Sequence, residues 1–127
     1  MIFYSPGHIA PGKFEKLTAQ IDIGPTLLGY LNFSYNSKFF GQDVFKMKDG
    51  NERAFISTYQ SLGYIKNQKL VVLDPNKKSG TYQPDFKTGN AEKRPEDQQL
   101  TNETIANYQM AAYLYQNGLY GFDTKKK

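Results

Sequence analysis

A helical spacing of apolar residues near the end of the chain constrains the fold most strongly. Between residues 105 and 119, apolar side chains recur three and four positions apart. These positions are Ile105, Tyr108, Ala112, Tyr115 and Leu119. This is the period of an α-helix that buries one face. Thr101 or Asn102 is suited to cap the helix and Gly118 to end it. Such a stripe requires a second apolar surface to cover it.

The preceding stretch, residues 53–84, has the pattern of an antiparallel sheet. Short runs of strand-forming residues alternate with turn signals, and the chain contains 10 Tyr and 9 Phe, which favour strands. Asn67-Gln68 is suited to a tight turn into residues 69–73, the most strand-like run. A helix laid across one face of this β-meander would cover both apolar surfaces. The sequence therefore predicts an α+β fold.

Three other segments complete this outline. Met1 to Tyr4 has the pattern of a strand, and a strand at the first residue predicts partners encoded upstream. Pro25 is suited to the first turn of a helix, with Gly24 as its N-cap. The apolar face of that helix would comprise Leu27, Leu28 and Leu31. Residues 87–99 are polar and contain a proline, so we expect an exposed loop there.

Charge and composition exclude several classes of function. The chain has no Cys, which excludes disulfides, thiolate metal sites and a Cys nucleophile. Its net charge is +4, but three of these charges come from Lys125, Lys126 and Lys127, and so we expect no nucleic-acid partner. No apolar run is long enough to cross a bilayer, and the N-terminus has no signal-type segment. We therefore expect a soluble chain with no export signal.

Residues suited to catalysis are few. His8 is the single histidine, and no Asp or Glu lies near it in sequence. Ser57, Thr58 and Ser61 lie in strand-like sequence with no base beside them, and a hydroxyl nucleophile needs such activation. The carboxylates do not follow a metal-loop spacing, and no glycine-rich phosphate loop is present. The residues alone thus predict neither a catalytic nor a metal-binding set.

Four segments nevertheless carry motifs that occur together in one order. Residues 1–11 read Met-Ile-Phe-Tyr-Ser-Pro-Gly-His-Ile-Ala-Pro, and residues 18–31 contain the sequence Ile-Asp-Ile-Gly-Pro-Thr-Leu-Leu. Residues 38–45 read Lys-Phe-Phe-Gly-Gln-Asp-Val-Phe, and residues 53–65 follow as two strand-like runs. These segments resemble, in the same order, parts of sulfatases and of the related phosphoglycerol transferases of the lipoteichoic acid synthase type. The segment at positions 22–28 is the most specific.

The resemblance implies an alkaline-phosphatase-like α/β fold, of which residues 1–127 would be the C-terminal subdomain. Residues 1–31 would be the last strand and helix of the catalytic α/β body. The subdomain's sheet, exposed loop and closing helix would be residues 53–84, 87–99 and 100–118. Family members use a divalent metal, often manganese, calcium or zinc, to activate a hydroxyl or modified Cys nucleophile on sulfate or phosphate esters. The parent protein would be membrane-anchored, with an extracytoplasmic catalytic domain.

The chain departs from the family at the catalytic centre. The family's nucleophile and its Asp-His metal pair lie upstream of the segment that matches Met1. The resemblance therefore assigns no catalytic residue, no metal ligand and no cofactor to this chain. Asp22 matches a family position, which we interpret as helix-capping. His8 and Lys13 lie in a loop that we expect on the substrate side of the whole enzyme.

The sequence thus favours a C-terminal fragment of a metal-dependent sulfatase or phosphoglycerol transferase, inactive alone. Its partner would be the upstream catalytic domain, and the exposed edge of the first strand would allow self-association. The alternative is a stand-alone, non-catalytic module that binds an anionic glycan or a lipid head group. A nucleic-acid-binding protein is a third hypothesis, which predicts an affinity that falls steeply with salt.

Overall fold

The computed structural model describes residues 2–121. The chain divides into two compact units, residues 1–53 and residues 54–127. The loop that follows residue 31 belongs to the first unit, together with the segment that the sequence assigns to a catalytic body.

The first unit is built mainly from loops around one short helix. A 3-10 turn at Gln20–Asp22 leads directly into helix α1, Ile23–Tyr30. Pro25 lies in the first turn of α1, where the missing N–H leaves no intrahelical bond unmade. The predicted cap at Gly24 is wrong, because the 3-10 turn starts the helical path before it.

The face that α1 buries also differs from the prediction. Pro25 and Thr26 are buried, whereas Leu27 and Leu31 are exposed. Leu28, the third residue of the predicted face, is half-buried. The helix therefore packs mainly through Pro25 and Thr26 and only in part through the expected leucine face.

Residues 2–4 are not paired as a strand within the described residues, and Met1 lies outside them. The strand predicted there stays a prediction, because its expected partners would be encoded upstream. The chain turns directly afterwards, where the Ser5 carbonyl accepts hydrogen bonds from the His8 N–H (3.1 Å) and the Ile9 N–H (3.0 Å). An apolar run predicts a strand only where a neighbouring strand pairs with it. Self-association through the edge of a first strand likewise stays a prediction.

The loop after α1 returns to the 3-10 turn. A side chain at Gly41 would place its Cβ 1.9 Å from the Ile21 carbonyl oxygen, so this approach requires glycine. Val44 and Met47, farther along the same loop, are buried in the unit.

The second unit contains a five-stranded sheet in the order β1-β2-β3-β4-β5. The strands are Arg53–Ser57, Leu62–Lys66, Lys69–Asp74, Lys78–Pro84 and Ala91–Arg94. Helix α2, Gln98–Gln116, contacts β2 and β3. The core comprises Tyr64, Val71 and Leu100, with Phe55 and Leu73 packed against it. This meander with a C-terminal helix confirms the α+β fold.

The β2–β3 connection follows the predicted turn. Asn67 and Gln68 both have positive φ, 50° and 58°. Two successive left-handed residues match the right-handed twist of the flanking strands. The turn sets the register that places Tyr64 opposite Val71, and Val71 in turn lies opposite Thr81.

The predicted exposed loop at residues 87–99 is wrong in its middle and at its end. Residues 91–94 form β5, which pairs with β4, and α2 already begins at Gln98. All four β5 residues are exposed. Their sequence, Ala-Glu-Lys-Arg, has none of the apolar alternation by which a strand is recognised.

Helix α2 forms where the helical period predicts it, but only part of the predicted apolar face is buried. Asp97, and not Thr101 or Asn102, is the N-cap. Gly118, with a φ of 65°, follows the helix end as expected. Ile105 and Tyr108 are half-buried, but Tyr115 is 79% exposed. Ala112 and Leu119 are exposed as well.

Candidate functional surface

His8 and Lys13, the two residues expected near a substrate, both lie exposed in loops of the first unit. The His8 Nδ1 is 3.4 Å from the Ser5 hydroxyl. The Lys13 ammonium pairs with Glu15 at 2.6 Å, although both side chains are largely exposed. Both contacts are solvent-exposed, and the contact of His8 is long, so neither neighbour orients these side chains as the partner of a catalytic base does. They can contact a ligand, but their surroundings do not activate them.

A cluster of four aromatic rings lies beside these residues. Phe45 is its centre, with ring centroids 6.0 Å from Phe3, 6.0 Å from Phe14 and 6.2 Å from Tyr30. Phe3 and Tyr30 also contact each other at 6.4 Å. The Tyr30 hydroxyl donates to the His8 carbonyl at 3.4 Å. We call Phe3, Phe14, Tyr30 and Phe45 the aromatic cluster.

The aromatic cluster is open to solvent although its members contact one another. Phe14 is 43% exposed, Tyr30 41% and Phe45 54%. Aromatic rings normally contribute most of their free energy through burial. A group of adjacent, half-exposed rings is therefore the surface of this unit best suited to bind an apolar partner.

Asp22 occupies the N-cap position of α1, as the helix-capping prediction requires, and its side chain also makes contacts beyond the helix. Its carboxylate makes no side-chain hydrogen bond to the N–H groups of α1. It accepts from the Ala19 N–H at 2.9 Å and from the Gln42 N–H at 2.8 Å, and the Arg53 guanidinium lies 3.6 Å away. Asp22 is 2% exposed. Its contacts hold the 3-10 turn to the loop that contains Gln42, so the role of Asp22 is structural.

Thr26 extends the same buried arrangement. Its hydroxyl donates to the Asp22 carbonyl at 2.5 Å and accepts from the Val44 N–H at 3.1 Å. Arg53 also donates to the Phe40 carbonyl. Two of the motifs that resemble the sulfatase group, at positions 22–28 and 38–45, are thus joined by buried hydrogen bonds.

The second unit contains a polar cleft of about 170 Å³ between the β2–β3 turn and the start of α2. Lys66 pairs with Glu103 at 2.6 Å, and Lys69 pairs with Asp97 at 2.7 Å. The Tyr64 hydroxyl also donates to Glu103 at 2.8 Å. Because each lysine has a carboxylate partner, the cleft has little net charge to attract an anion. Its contacts instead link α2 to the sheet.

Asp97 is held ionised by its contacts in this cleft. Hydrogen bonds from the Lys69 ammonium and from the Leu100 N–H lower the pKa of the Asp97 carboxyl below its ordinary value of 3.8. In contrast, burial raises the pKa of the Tyr108 phenol. Neither shift brings a group near neutral pH, where a general acid or base would operate.

Among residues 2–121, no group of three or more His, Asp or Glu side chains could hold a metal ion. Ser61 donates to Asp74 at 2.5 Å, but both residues lie on the surface of the second unit and no histidine completes the pair. Within the same residues, no helix is long and apolar enough to cross a membrane.

Comparisons with known proteins place this geometry in a larger class. No protein-family model matches the chain. A crystal structure of a protein in the alkaline phosphatase superfamily from Vibrio parahaemolyticus matches it with a TM-score of 0.84 and 29% sequence identity. The match covers 91% of this chain and 28% of that protein.

The fold is therefore that of one segment of an alkaline phosphatase superfamily protein, and the chain spans little more than a quarter of that protein's length. The superfamily expected from the sequence motifs is supported. The aromatic cluster, whose members are residues 3, 14, 30 and 45, could not be assembled from the sequence. The only signal was the high aromatic content, which does not specify which rings meet.

Proposed function

We propose that this chain is the C-terminal part of a metal-dependent enzyme that acts on sulfate or phosphate esters, of the sulfatase or phosphoglycerol transferase type. The observation that carries the proposal is the match to a superfamily protein over 91% of the chain but only 28% of that protein. The specific motif at positions 22–28 supports it, because Asp22 and Thr26 form the buried centre of the first unit.

In this proposal the nucleophile and the metal ion belong to the remainder of the enzyme. The described residues do not form a divalent-metal site, since no suitable cluster of side chains exists among residues 2–121. The chain supplies packing surface and support for the catalytic body, and His8 and Lys13 lie on the side that faces substrate. Anchoring of the whole protein to a membrane, with its catalytic domain outside the cytoplasm, belongs to the same proposal.

Activity measurements test this proposal directly. The purified chain is incubated with manganese, calcium or zinc and with p-nitrophenyl phosphate, bis(p-nitrophenyl) phosphate or p-nitrophenyl sulfate. We expect no metal-dependent release of p-nitrophenol, because residues 2–121 contain no cluster of side chains that could hold a metal ion to activate a nucleophile. Turnover that requires the metal and disappears in a His8→Ala variant would show that the chain is itself catalytic and would overturn the proposal.

A second candidate function is a non-catalytic module that binds an anionic glycan or a lipid head group. The observation in its favour is the exposed aromatic cluster, with Lys13 next to Phe14 in the sequence and the His8 carbonyl bonded to Tyr30, since aromatic faces and an ammonium group together suit such ligands. Titration with a sulfated oligosaccharide or with phosphatidylglycerol vesicles would distinguish the two. Saturable binding that is lost in Lys13→Ala and Phe14→Ser would favour the module.

A further inference from the structure

The aromatic cluster stays exposed to solvent in the described chain. Its three most exposed rings, Phe14, Tyr30 and Phe45, lie side by side at centroid distances of 6.0 and 6.2 Å. Each has two-fifths or more of its surface in contact with water. A single exposed aromatic residue is ordinary, whereas several adjacent ones mark a surface that associates with a partner.

The charges around the cluster indicate which kind of partner fits. Lys13 pairs with Glu15, Lys16 with Asp49 at 2.5 Å, and Lys46 with Asp43 at 3.6 Å. Lys13 and Lys16 lie one and two residues from Phe14, and Lys46 directly follows Phe45. Because each ammonium already has a carboxylate, an anionic ligand would have to displace that partner. The surface therefore favours an apolar protein surface over a polyanion.

The lengths of the chain and of its structural relative identify such a partner. This chain matches 28% of the Vibrio parahaemolyticus protein, so most of that polypeptide lies outside the matched segment. An apolar surface within a segment of a folded protein is normally covered by the rest of that protein.

We propose that the aromatic cluster is the surface through which this chain packs against the remainder of a longer alkaline phosphatase superfamily polypeptide, with Phe45 at the centre of the contact. This inference rests on the proposed function, and it specifies the surface and the residues. Phe45 is the central residue because it contacts the other three rings and is the most exposed of the cluster. Tyr30 contacts two of the rings, Phe3 and Phe45, and its hydroxyl donates to the His8 carbonyl.

A chimeric protein tests both the partner and the surface. The matched segment of the Vibrio parahaemolyticus protein is replaced by this chain, and hydroxyl-radical footprinting with mass spectrometry compares the chimera with the isolated chain. A free reporter peptide measures the radical dose. We expect Phe14 and Phe45 to oxidise readily in the isolated chain and several-fold more slowly in the chimera.

The outcomes separate the inference from the proposed function. A chimera that unfolds cooperatively, yet oxidises at Phe14 and Phe45 as fast as the isolated chain, would overturn the inference and leave the proposed function standing. A chimera that does not fold would show that the two segments are not equivalent, which would remove the proposed function and the inference together.

Variants of the isolated chain give an independent measurement. Phe14→Ser and Phe45→Ser should lower the binding of a hydrophobic dye such as 1-anilinonaphthalene-8-sulfonate. Tyr59→Ser is the matched control, because Tyr59 is 99% exposed but lies in the second unit. Equal dye binding by all three variants and the unmodified chain would show that the cluster is not an accessible apolar surface, and would overturn the inference.

Discussion

At the scale of single residues, Thr26 and Thr104 provide a matched pair of buried hydroxyls. Both are 0% exposed. Thr26 accepts from the Val44 N–H, whereas Thr104 only donates to the Leu100 carbonyl one turn earlier in α2, at 2.7 Å. Removal of the Thr26 hydroxyl therefore leaves a backbone N–H without an acceptor, whereas removal of the Thr104 hydroxyl does not.

Thr26→Val should lower the free energy of unfolding by about 1–3 kcal/mol, because it leaves the buried Val44 N–H without its acceptor. Thr104→Val should cost less, since the hydroxyl there satisfies no backbone donor. Urea unfolding of both variants, with Thr26→Ser as the conservative control, measures the difference. Equal losses in the two valine variants would contradict this assignment.

Asp22 gives a larger expected effect, because a buried charge is involved. Asp22→Ala removes the acceptor of two backbone N–H groups and the carboxylate beside the Arg53 guanidinium. Removing one partner of a buried pair typically costs about 3–5 kcal/mol. The exposed pair of Lys13 with Glu15 is the control, and Glu15→Ala should cost no more than about 1 kcal/mol. A loss for Asp22→Ala as small as that for Glu15→Ala, in urea unfolding, would show that Asp22 does not hold the first unit together.

At the scale of elements, the start of α2 depends on an ionised side chain. The Leu100 N–H donates to the Asp97 carboxylate at 3.0 Å, and Lys69 pairs with it, so its pKa in the folded chain is lowered. An unfolded chain binds the proton near pH 3.8 and the folded chain only at lower pH. The contribution of Asp97 to stability is thus complete above that value and is lost as the pH falls through the lowered pKa.

Asp97→Asn should therefore flatten the acid limb of the stability profile. The urea midpoint of the unmodified chain should fall more steeply than that of the variant as the pH is lowered from about 5 to about 2.5, across the ordinary titration range of Asp. Circular dichroism at the helix band follows the transition. Parallel profiles for the two proteins would show that Asp97 does not supply this pH dependence.

The connection between α2 and the sheet rests partly on one phenol. Tyr108 donates to the Gly63 carbonyl at 2.8 Å, and its hydroxyl lies 3.1 Å from the Ile56 carbonyl. Tyr108→Phe should cost about 1 kcal/mol, the net value of one such hydrogen bond. Because burial raises the phenol's pKa, the unmodified chain should also lose stability above about pH 10, whereas the variant should lose less. Equal alkaline sensitivity would contradict this.

The elements also show what a sequence can and cannot specify. Helix α2 and the turn at Asn67-Gln68 were predictable, because a helical period and a left-handed turn leave local signals. β5 was not, since Ala-Glu-Lys-Arg forms a strand only by pairing with β4. The strand predicted at the start of the chain stays a prediction, because residues 2–4 have the composition of a strand and its expected partners would be encoded upstream.

The candidate site was likewise predictable only where the sequence carries a local signal. His8 and Lys13 could be placed in an exposed loop from the sequence motif, and the structure places them there. The meeting of Phe3, Phe14 and Phe45 depends on loop paths, for which the sequence carries no periodic signal. Substrate proximity of His8 and Lys13 stays a prediction, because it depends on the proposed remainder of a longer protein.

At the scale of the whole molecule, the charge distribution decides whether nucleic acid is a plausible ligand. The net charge is +4, yet several lysine and arginine side chains pair with a neighbouring carboxylate. The pairs within the described residues include Lys16 with Asp49, Lys66 with Glu103, and Arg94 with Glu92 at 3.0 Å. A protein that binds DNA through phosphates needs several available cations on one face, since each phosphate contact releases a counterion.

We therefore expect the chain to pass through a DNA column at near-physiological salt. Any retention at low salt should come largely from Lys125, Lys126 and Lys127, which carry three of the four net charges. A variant ending at Thr124 has a net charge of 4 − 3 = +1 and is the control. Elution positions in a salt gradient, on DNA and on a cation exchanger of similar charge density, separate specific from general attraction. Retention on DNA that persists in the truncated variant and weakens steeply with salt would contradict this prediction. It would show that the chain has a face that binds phosphates, in addition to the aromatic cluster.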